Sequence, residues 1–415
     1  MTRRPILTAA EMRAAEEAVI AAGTSVAELM ERAGRAAAEA IWRYAGPLPA
    51  LVLCGPGNNG GDGRVIAREL RARGVAVREA GLGELDVAPA PLLIDALFGT
   101  GLSRPVAQAQ KLLGLAAAAR VRVAIDLPSG VATDDGAILS PVPDCDLTVT
   151  FQTLKPSHWL QPAARRMGRI VVADIGIPVS GSLVEIGPAP PREPGPDDHK
   201  YSRGYVAVLA GEMPGASALA AAAALRAGAG YVRLIGPPVA GLPHAIVQGP
   251  GDPAKLLADE RIGAVLVGPG LGRDTRLLDL AIASGRPLVL DADGLRACAG
   301  AILTPHAGEF ARLFPGLAGS KVEQARAAAA ASGAVIVFKG PDTVVAAPDG
   351  RAAIAPPAPA WLATAGTGDV LAGIAAARRA ALADPFEAAC SAVFLHNHAA
   401  WARPGRSADE LVENL

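Results

Sequence analysis

The chain has 415 residues, which at a typical domain length of ~150 residues predicts two or three domains rather than one. Hydrophobic residues make up 51% of the sequence and charged residues 19%, so the chain can bury large cores and is not a mainly disordered protein. With 39 Lys and Arg against 40 Asp and Glu, the net charge is −1, which argues against a general nucleic-acid-binding protein.

The cysteine and hydropathy patterns predict a soluble protein of a reducing compartment, so we expect a cytoplasmic location and no membrane partner. The four cysteines are far apart and include no CxxC pair, which indicates neither a zinc site nor a disulfide framework. No run of ~18 apolar residues is present, and we therefore expect no membrane-spanning helix. The first residues lack the apolar core of an export signal.

The first half of the sequence alternates between helical patterns and short apolar runs. Residues 8–45 have apolar residues at helical spacing, with a break at Gly23-Thr24. Further helices are predicted at about 62–73 and 106–119, and strands at 51–54, 75–79, 92–95, 121–126, 147–151 and 170–173. Short buried strands between helices predict βαβ units and a mostly parallel sheet. The alanine-rich faces in 8–45 fit a homo-oligomer or packing within one chain, and both interpretations remain open.

The alternation is interrupted between Pro178 and Gly204, where the segment 189–200 has the Pro-rich composition of an interdomain linker. Beyond it, strands are predicted at 205–210, 231–235, 264–267, 287–291, 334–338 and 343–347, with helices at 216–228 and from Gly368. The two halves share no motifs. We therefore predict an α/β fold with two three-layer domains, at 1–188 and 201–415.

A glycine-rich loop follows the first predicted strand and opens a helix. Its sequence is Gly55-Pro56-Gly57-Asn58-Asn59-Gly60-Gly61-Asp62-Gly63, which contains a GxGxxG pattern. Backbone N–H groups in such a turn, beside a helix N-terminus, can bind a phosphate. An ordinary strand-to-helix turn is the alternative interpretation, but two Asn and an Asp exceed what a turn requires.

Two more predicted strands end in polar residues. One is followed by Asp95-Ala96-Leu97-Phe98-Gly99-Thr100-Gly101 and the other by Asp126-Leu127-Pro128-Ser129-Gly130. A single Asp at a strand end is often only a helix cap or a turn former. Because ligands of open parallel sheets bind beyond the carboxyl ends of the strands, three polar strand ends together predict a binding site.

Residues 1–180 resemble the NAD(P)H-hydrate epimerase domain, which is Rossmann-like. The motifs that carry the resemblance are GNNGGDG at 57–63, DALFGTGL at 95–102 and DLPSGV at 126–131. The resemblance implies a site for NADH and NADPH hydrates formed by Asn58, Asn59, Gly60, Gly61, Asp62, Gly99, Thr100, Gly101, Leu102, Ser103, Arg104, Pro105 and Asp126. Arg64 departs from the family pattern, which more often has a bulky apolar residue after the loop.

The same resemblance implies a potassium ion bound by Asn59, Asp95 and Ser129. Amide, carboxylate and hydroxyl oxygens are hard donors, and no Cys or His competes among them. The substrate is a hemiaminal hydrated at C6, and its epimers interconvert when the ring opens and recloses on the other face. We hypothesise that Asp126 is catalytic and moves the proton in this step.

The second half contains the sequence Gly366-Thr367-Gly368-Asp369 where its last alanine-rich helix is predicted to begin. N–H groups at a helix N-terminus can stabilise a phosphoryl group in transfer, and an Asp there can take a proton from the attacking hydroxyl. A plain helix N-terminus without a ligand is the alternative. No GxxxxGK[ST] pattern is present, so a P-loop is excluded.

Four further motifs precede this sequence: VGPGLG at 267–272, LDADGL at 290–295, LTPHAGEF at 303–310 and FKGPDT at 338–343. With GTGD, the set resembles the ADP/ATP-dependent NAD(P)H-hydrate dehydratases, which have a ribokinase-like fold, over residues ~199–412. It assigns the hydrated dinucleotide to Ala216, Gly270, Gly272, His306 and Asp369, and ADP to Lys339, Gly340, Pro341, Asp342, Thr343 and Gly368. It also implies Asp369 as the catalytic base and a Mg²⁺ held mainly by the phosphates. Glu212 departs from the pattern, since a small residue is usual there.

The fusion of the two halves resembles the bifunctional NAD(P)H-hydrate repair enzymes, in which an epimerase supplies an ADP-dependent dehydratase. Two other interpretations remain open. One is a small-molecule kinase, such as a vitamin-precursor kinase, with an accessory dinucleotide-binding domain. The other makes the first half a non-enzymatic partner module. The products distinguish them: restored dihydronicotinamide, a phosphorylated alcohol, or no interconversion of the epimers.

Overall fold

The computed structural model describes residues 3–188, 193–273, 275–405 and 407–415. The chain divides into two compact units, Arg4–Leu183 and Val184–Leu415, with Arg3 belonging to the second unit. Residues 189–192 of the predicted linker lie outside the described residues. The domain limits at 188 and 201 therefore stay a prediction. The observed division between the two units lies between Leu183 and Val184.

The N-terminal unit is an α/β domain with a six-stranded parallel sheet in the order β2-β1-β3-β4-β5-β6. Its helices are α1 (Ala9–Ala21), α2 (Val26–Ala45), α3 (Asn58–Ala72) and α4 (Ala109–Ala118), and its strands are β1 (Ala50–Cys54), β2 (Val77–Gly81), β3 (Leu92–Ala96), β4 (Val121–Ile125), β5 (Leu147–Phe151) and β6 (Arg169–Ala173). Thr8 and Glu11 form a capping box that starts α1, and the Ser25 hydroxyl caps α2. The predicted break at Gly23-Thr24 thus separates two helices.

Both faces of this sheet are buried, as expected for a parallel sheet. Alternate residues of β1 pack on opposite sides: Val52 lies in a cluster with Ile41 of α2, whereas Leu51 lies in a cluster with Leu112 of α4. Helices on both faces give the predicted three layers. The alanine-rich face of α2, including Ala37, is buried in this core, so packing within the chain accounts for it.

Helix α3 and strand β2 are among the elements that begin at residues other than those predicted. Helix α3 starts at Asn58 rather than near residue 62, because Gly57 has an extended conformation and serves as its N-cap. The Asn and Gly residues expected in a loop are therefore the first turn of the helix. Strand β2 starts at Val77 rather than Val75, because Val75 donates its N–H to Leu70 and completes the turn after α3.

The C-terminal unit is built on a ten-stranded sheet in the order β10-β9-β8-β11-β12-β13-β14-β15-β16-β7. Its strands are β7 (Leu183–Glu185), β8 (Tyr205–Leu209), β9 (Tyr231–Ile235), β10 (Ile246–Gly249), β11 (Ala264–Val267), β12 (Leu288–Leu290), β13 (Ile302–Leu303), β14 (Val335–Phe338), β15 (Val344–Ala346) and β16 (Ala352–Ile354). Its helices are α5 (Pro214–Arg226), α6 (Pro253–Leu257), α7 (Arg276–Ala283), α8 (Ala307–Leu313), α9 (Lys321–Ser332), α10 (Thr367–Ala381), α11 (Pro385–Ala402) and α12 (Ala408–Glu413). The ladder from β10 to β14 is parallel, whereas β15 pairs antiparallel with β14 and β16.

The sequence did not predict four strands of this sheet, β7, β10, β13 and β16, which have two to four residues. They include β13, with two residues, and β7, which lies inside the segment where the alternation appeared to stop. Strands this short carry too few residues for a periodic signal, and their pairing depends on the neighbouring strands. In the part of the chain that is described, no helix combines the length and apolar character needed to cross a membrane.

Close backbone packing at the start of α3 makes Gly60 sensitive to substitution. A Cβ at Gly60 would lie 1.9 Å from the carbonyl oxygen of Gly55, whereas a Cβ at Gly57 would meet no heavy atom within 4 Å. We expect Gly60→Ala to lower the free energy of unfolding by about 1–3 kcal/mol or more, since backbone must move to admit the methyl group. Urea denaturation would measure this loss. Gly57→Ala is the matched control, and equal stability of the two variants would contradict the prediction.

Two candidate active sites

A cavity of about 550 Å³ lies in the N-terminal unit at the carboxyl end of its sheet. Strands β1 and β3 are neighbours, with β2 on the other side of β1 and β4 on the other side of β3. Chain order therefore reverses between β1 and β3, which is where open α/β sheets bind ligands. The predicted residues that line the cavity are Asn58, Asn59, Asp62, Gly99, Thr100, Gly101, Leu102, Ser103, Arg104 and Asp126. Gly60 and Gly61 are buried in the first turn of α3, and Pro105 is exposed.

Asp126 is the most heavily hydrogen-bonded side chain of this cavity. Its Oδ1 accepts from Lys155 Nζ at 2.8 Å and from the Thr150 hydroxyl at 2.9 Å. Its Oδ2 accepts from the Thr100 N–H at 2.8 Å and from the Thr100 hydroxyl. The residue has a positive φ of 63°, so the sharp turn after β4 directs it toward these donors. Four donors leave the carboxylate little capacity to gain a proton.

The protonation of Asp126 is set by two opposing effects. Burial alone would raise its pKa, but the charge and hydrogen bond of Lys155 outweigh burial and hold the pKa below its usual range. His158 contacts the backbones of both Lys155 and Asp126. Its Nδ1 accepts the Lys155 N–H at 2.8 Å and its Nε2 lies 3.1 Å from the Asp126 carbonyl. Burial lowers the pKa of His158 to about 4, so the neutral ring donates to that carbonyl through Nε2.

Sequence reasoning missed Lys155, Arg13 and Glu16, which also line the cavity. Lys155 is 1% exposed and is paired with Asp126, which makes it the buried counter-charge of the site. A single Lys four residues after the end of an apolar strand, in Phe151-Gln152-Thr153-Leu154-Lys155, was the available signal, because a buried Lys requires a partner. Arg13 and Glu16 lie in α1, whose pattern reads only as an amphipathic helix.

Asp62 faces the same cavity in a different environment. It is 8% exposed, and none of the described residues donates a hydrogen bond to its carboxylate. Burial, together with the charges of Asp126 and Glu16, raises the pKa of Asp62 to about 8. Burial also raises the pKa of Glu16, although Lys155 opposes that shift. One cavity therefore holds an ionised Asp126 and, at neutral pH, a protonated Asp62.

Two of the three predicted potassium ligands are in direct contact. Asp95 Oδ1 accepts from the Ser129 hydroxyl at 2.7 Å, and Asp95 Oδ2 accepts from the Ser129 N–H at 2.9 Å. The Asn59 side chain lies against Gly99, four residues after Asp95, where a Cβ would approach Asn59 Cγ to 3.2 Å. Its Nδ2 is buried and has no hydrogen-bond partner among the residues that the structure describes.

The surroundings of Asp95 fit a bound cation. Its side chain is 3% exposed and burial raises its pKa, while hydrogen bonds from Ser129 and Leu97 oppose the shift. Within residues 4–183 no Lys or Arg pairs with it. A buried carboxylate without a counter-charge is costly, and a monovalent cation held by hard oxygen donors would supply that charge.

The predicted residues of the C-terminal unit also follow strands at one end of the sheet. Lys339 comes directly after β14, and its Nζ lies 2.8 Å from Oδ1 of Asp291, which follows β12. The Thr304 hydroxyl donates to the same oxygen at 2.7 Å. A Cβ at Gly368 would lie 3.4 Å from Lys339 Nζ, so the Lys339 ammonium group lies at the start of α10.

Asp369 occupies the first turn of α10. No side chain caps the helix, whose N-cap Gly366 has a φ of 91°, so the first N–H groups are directed out of the helix end. Burial, and then the charge of Asp291, raise the pKa of Asp369 to about 6, while Lys339 opposes them. A carboxylate with a pKa near neutrality is suited to general-base catalysis.

His396 is a residue that the sequence did not place in the C-terminal site. Its Nε2 lies 3.0 Å from the Thr367 carbonyl, and the side chain is buried. Burial lowers the pKa of His396 to about 4, so the neutral ring donates to this carbonyl and fixes the first turn of α10. His398, two residues on, stacks on Phe394 instead.

The residues assigned to the dinucleotide in this unit are only partly brought together. A Cβ at Gly270 would lie 3.1 Å from Ala216 Cβ, so these two positions are in contact. Gly272 donates its N–H to Asp293, and Glu212 covers it while accepting the Arg273 N–H at 3.1 Å. The unusual Glu212 therefore joins the two loops after β8 and β11.

His306 has a structural role in the fold. Its Nδ1 accepts the N–H groups of Gly308 and Glu309, and Glu309 Oε2 accepts the His306 N–H, which together cap α8. Its contact with the substrate stays a prediction.

The segment assigned to ADP forms a tight turn after β14. The Thr343 hydroxyl donates to the Gly340 carbonyl at 2.9 Å, and Asp342 is paired with Lys321 at 2.6 Å. A Cβ at Gly340 would lie 2.7 Å from Lys321 Nζ, so this turn packs directly against the lysine side chain. Lys339 connects this turn to the GTGD helix, which is consistent with one ligand spanning both.

Known families match both units. Residues 206–408 match the family described as NAD(P)H-hydrate dehydratase, and residues 26–86 and 80–157 match the family described as YjeF-related protein N-terminus. A crystal structure of the ADP/ATP-dependent NAD(P)H-hydrate dehydratase from Bacillus subtilis, with ATP/Mg²⁺, is 31% identical. It covers 54% of this chain and 91% of its own, with a TM-score of 0.46.

Full-length relatives cover both units at once. The bifunctional NAD(P)H-hydrate repair enzyme Nnr of Salinibacter ruber is 36% identical over 95% of this chain and 91% of its own length. The enzyme of the same name from Mycobacterium tuberculosis is 37% identical over 87% of this chain and 86% of its own length. The chain therefore belongs to the family of bifunctional NAD(P)H-hydrate repair enzymes.

Proposed function

We propose that this chain restores NADH and NADPH from their C6 hydrates. The N-terminal unit interconverts the R and S epimers, and the C-terminal unit dehydrates the S form with ADP, which gives AMP and phosphate. The observation that carries the proposal is the pair of sites on one chain. One is a charged cavity at the chain reversal between β1 and β3, and the other is Asp369 at an uncapped helix N-terminus beside Lys339.

The chemistry proposed for the C-terminal unit solves the problem of a poor leaving group. Asp369 takes the proton of the C6 hydroxyl group. The oxygen of that hydroxyl group attacks the terminal phosphorus of ADP, and AMP leaves. The N–H groups at the start of α10 and the charge of Lys339 stabilise the transferring group. Phosphate then departs from C6 with its bonding electrons while C5 loses a proton, which restores the ring double bond.

Mg²⁺ would offset the charge of the ADP phosphates. Among the described residues no group of three His, Cys, Asp or Glu could hold a metal ion by itself. Asp291 is already engaged by Lys339 and Thr304. This donor set suits an ion held mainly by the phosphates, as Mg²⁺ commonly is.

In the N-terminal unit, Asn59, Asp95 and Ser129 would hold the potassium ion, which would neutralise the buried charge of Asp95. We expect K⁺ to raise the melting temperature of the full chain's N-terminal transition in calorimetry, by mass action on the folded state. Asp95→Asn should abolish this increase, because it removes the only formal charge among the three ligands. Equal K⁺ stabilisation of wild type and Asp95→Asn would contradict the assignment.

One assay tests the whole proposal. The full chain is incubated with a mixture of both hydrate epimers, ADP and Mg²⁺, and recovery of the dihydronicotinamide absorbance is followed. Full recovery is expected. Recovery of one epimer only would refute the epimerase half. A stable phosphorylated product without recovery of the absorbance would instead support a small-molecule kinase.

A further inference from the structure

The cavity of the N-terminal unit contains two aspartates whose surroundings differ in a way that assigns them different tasks. Asp126 accepts hydrogen bonds from Lys155, Thr150 and Thr100 on both of its oxygens. Asp62 is more than nine-tenths buried, lines the cavity and has no hydrogen-bond donor among the described residues. An unpartnered buried carboxyl group is costly, and it commonly persists where function requires it.

We propose that Asp62, as a neutral carboxylic acid, carries the proton that opens and recloses the C6 hemiaminal in the N-terminal unit. The proposal rests on the epimerase function proposed above and deepens it, because it moves the proton transfer from Asp126 to Asp62.

A neutral carboxyl group can complete the exchange without another reactant. Its O–H gives a proton to N1 of the hydrated, tetrahydropyridine ring while its second oxygen takes the proton of the C6 hydroxyl. The C6–N1 bond breaks, its electron pair stays on N1, and C6 becomes an aldehyde carbon. Rotation about the C5–C6 bond presents the other face of the aldehyde. N1 then attacks it, and the same two protons move back.

The charges around the cavity favour this division of tasks. The charged or titratable groups that line it are Arg13, Glu16, Asp62, Arg104, Asp126 and Lys155. Burial and the charges of Asp126 and Glu16 raise the pKa of Asp62 to about 8, so most of it is protonated at neutral pH. Lys155 neutralises Asp126, which remains an acceptor and has no proton to give.

Asp126 is then a positioning residue. Through the Thr100 N–H and hydroxyl it fixes the loop after β3, and Gly101 of the same loop donates its N–H to Thr133 at 3.1 Å. A Cβ at Gly99 would lie 2.9 Å from Asp126 Oδ2, so the loop passes directly over the carboxylate.

The first test is Asp62→Asn in the full chain, with one purified epimer as substrate. The amide keeps the shape of the side chain but cannot donate and accept a proton in the exchange. We expect epimerisation to fall at least ~100-fold. ADP-dependent dehydration of the S epimer, measured on the same preparation, should stay at the wild-type rate and shows that the chain is folded. Binding of NADPH, an unreactive analogue, should change little.

The second test is the pH profile. Because the protonated form is active, the wild-type rate should fall as the pH rises through about 8. Glu16→Gln removes a neighbouring negative charge, which lowers the pKa of Asp62, so the falling limb should move to lower pH. Glu17→Gln is the matched control, since Glu17 is the next residue of α1 and is exposed outside the cavity.

The outcomes separate the inference from the function on which it rests. If wild type fails to interconvert the epimers, the proposed epimerase function is refuted. If wild type is active and Asp62→Asn keeps more than a tenth of the rate, Asp62 does not carry the proton. An unchanged pH limb in Glu16→Gln would also overturn the proposal.

Discussion

Replacing Asp369 with Asn should reduce ADP-dependent dehydration about 100- to 10,000-fold, the usual contribution of a general base. The amide cannot accept the proton of the C6 hydroxyl, although it keeps the size of the side chain. In wild type, the pKa of Asp369 is raised to about 6, chiefly by burial and by Asp291. Since the ionised form is the base, the dehydration rate should fall as the pH drops through about 6.

Two measurements make this prediction specific. Epimerisation by the same preparation should be unchanged, because Asp369 belongs to the other unit. The melting temperature should not decrease, since the variant removes a carboxylate whose charged form is disfavoured by burial. Asp279→Asn, which breaks an exposed pair with Arg296, is the control and should leave both rates unchanged. A pH profile of Asp369→Asn with the same limb near 6 would assign that limb to another group.

The pair of aspartates in the N-terminal cavity illustrates why residue type does not fix chemical role. Asp62 lies in the glycine-rich segment after β1 and Asp126 directly follows β4, so in the sequence both are aspartates beside the end of a predicted strand. Burial acts to raise the pKa of both, but Lys155 outweighs it at Asp126, whereas the charges of Asp126 and Glu16 add to it at Asp62, so the two pKa values shift in opposite directions. Environments that separate the pKa values of neighbouring acids mark the division of acid and base tasks.

The sequence predicted the strands and turns that form this site, but not the pairing of its charged side chains. The three strand ends after β1, β3 and β4 could be predicted, because short apolar runs followed by Gly, Asn and Asp specify buried parallel strands and their turns. Lys155 could not, since its pairing with Asp126 joins residues 29 positions apart through the fold. The first turn of α3 was also missed, because Asn and Gly are weak helix formers and only their packing makes them helical.

In the C-terminal unit, features set by neighbouring residues could be predicted from the sequence, whereas contacts between residues far apart in the chain could not. The start of α10 was predicted at Gly368 from a local pattern, and the helix begins one residue earlier, at Thr367. The contact of Lys339 with Asp291 depends on β12 and β14 lying on either side of β13, a strand of two residues that gave no periodic signal. His396 likewise reaches Thr367 from a different helix.

Replacing Lys155 with Met should destabilise the N-terminal unit by about 3–5 kcal/mol at neutral pH, because it leaves the buried charge of Asp126 without a partner. Lys155 is 1% exposed and Asp126 is 7% exposed, so solvent does little to screen the loss. Epimerisation should be lost with it. Hydrogen-exchange mass spectrometry of the full chain measures the opening of peptides from each unit separately, and peptides from 205–415 should keep their wild-type protection.

The pH dependence provides a check with a definite sign. In wild type the folded-state pKa of Asp126 is lowered, so its contribution to stability is present above the unfolded pKa of ~3.9 and is lost as pH falls toward the folded value. In Lys155→Met the charge that opposes burial is gone and only the hydrogen bonds from Thr100 and Thr150 still oppose it, so we expect the pKa of Asp126 to rise. Protonation of Asp126 then removes the unpaired buried charge as the pH is lowered. The stability difference should therefore shrink toward pH 4.

Lys111→Met is the matched control for this substitution. Lys111 is paired with Asp86 at 2.5 Å, but both side chains are exposed, at 45% and 81%, and such surface pairs contribute about 0–1 kcal/mol. If Lys155→Met costs no more than Lys111→Met, the Lys155–Asp126 pair does not hold the loop after β3. Asp126 would then be free to take up a proton, and the case for Asp62 as the proton carrier would fail with it.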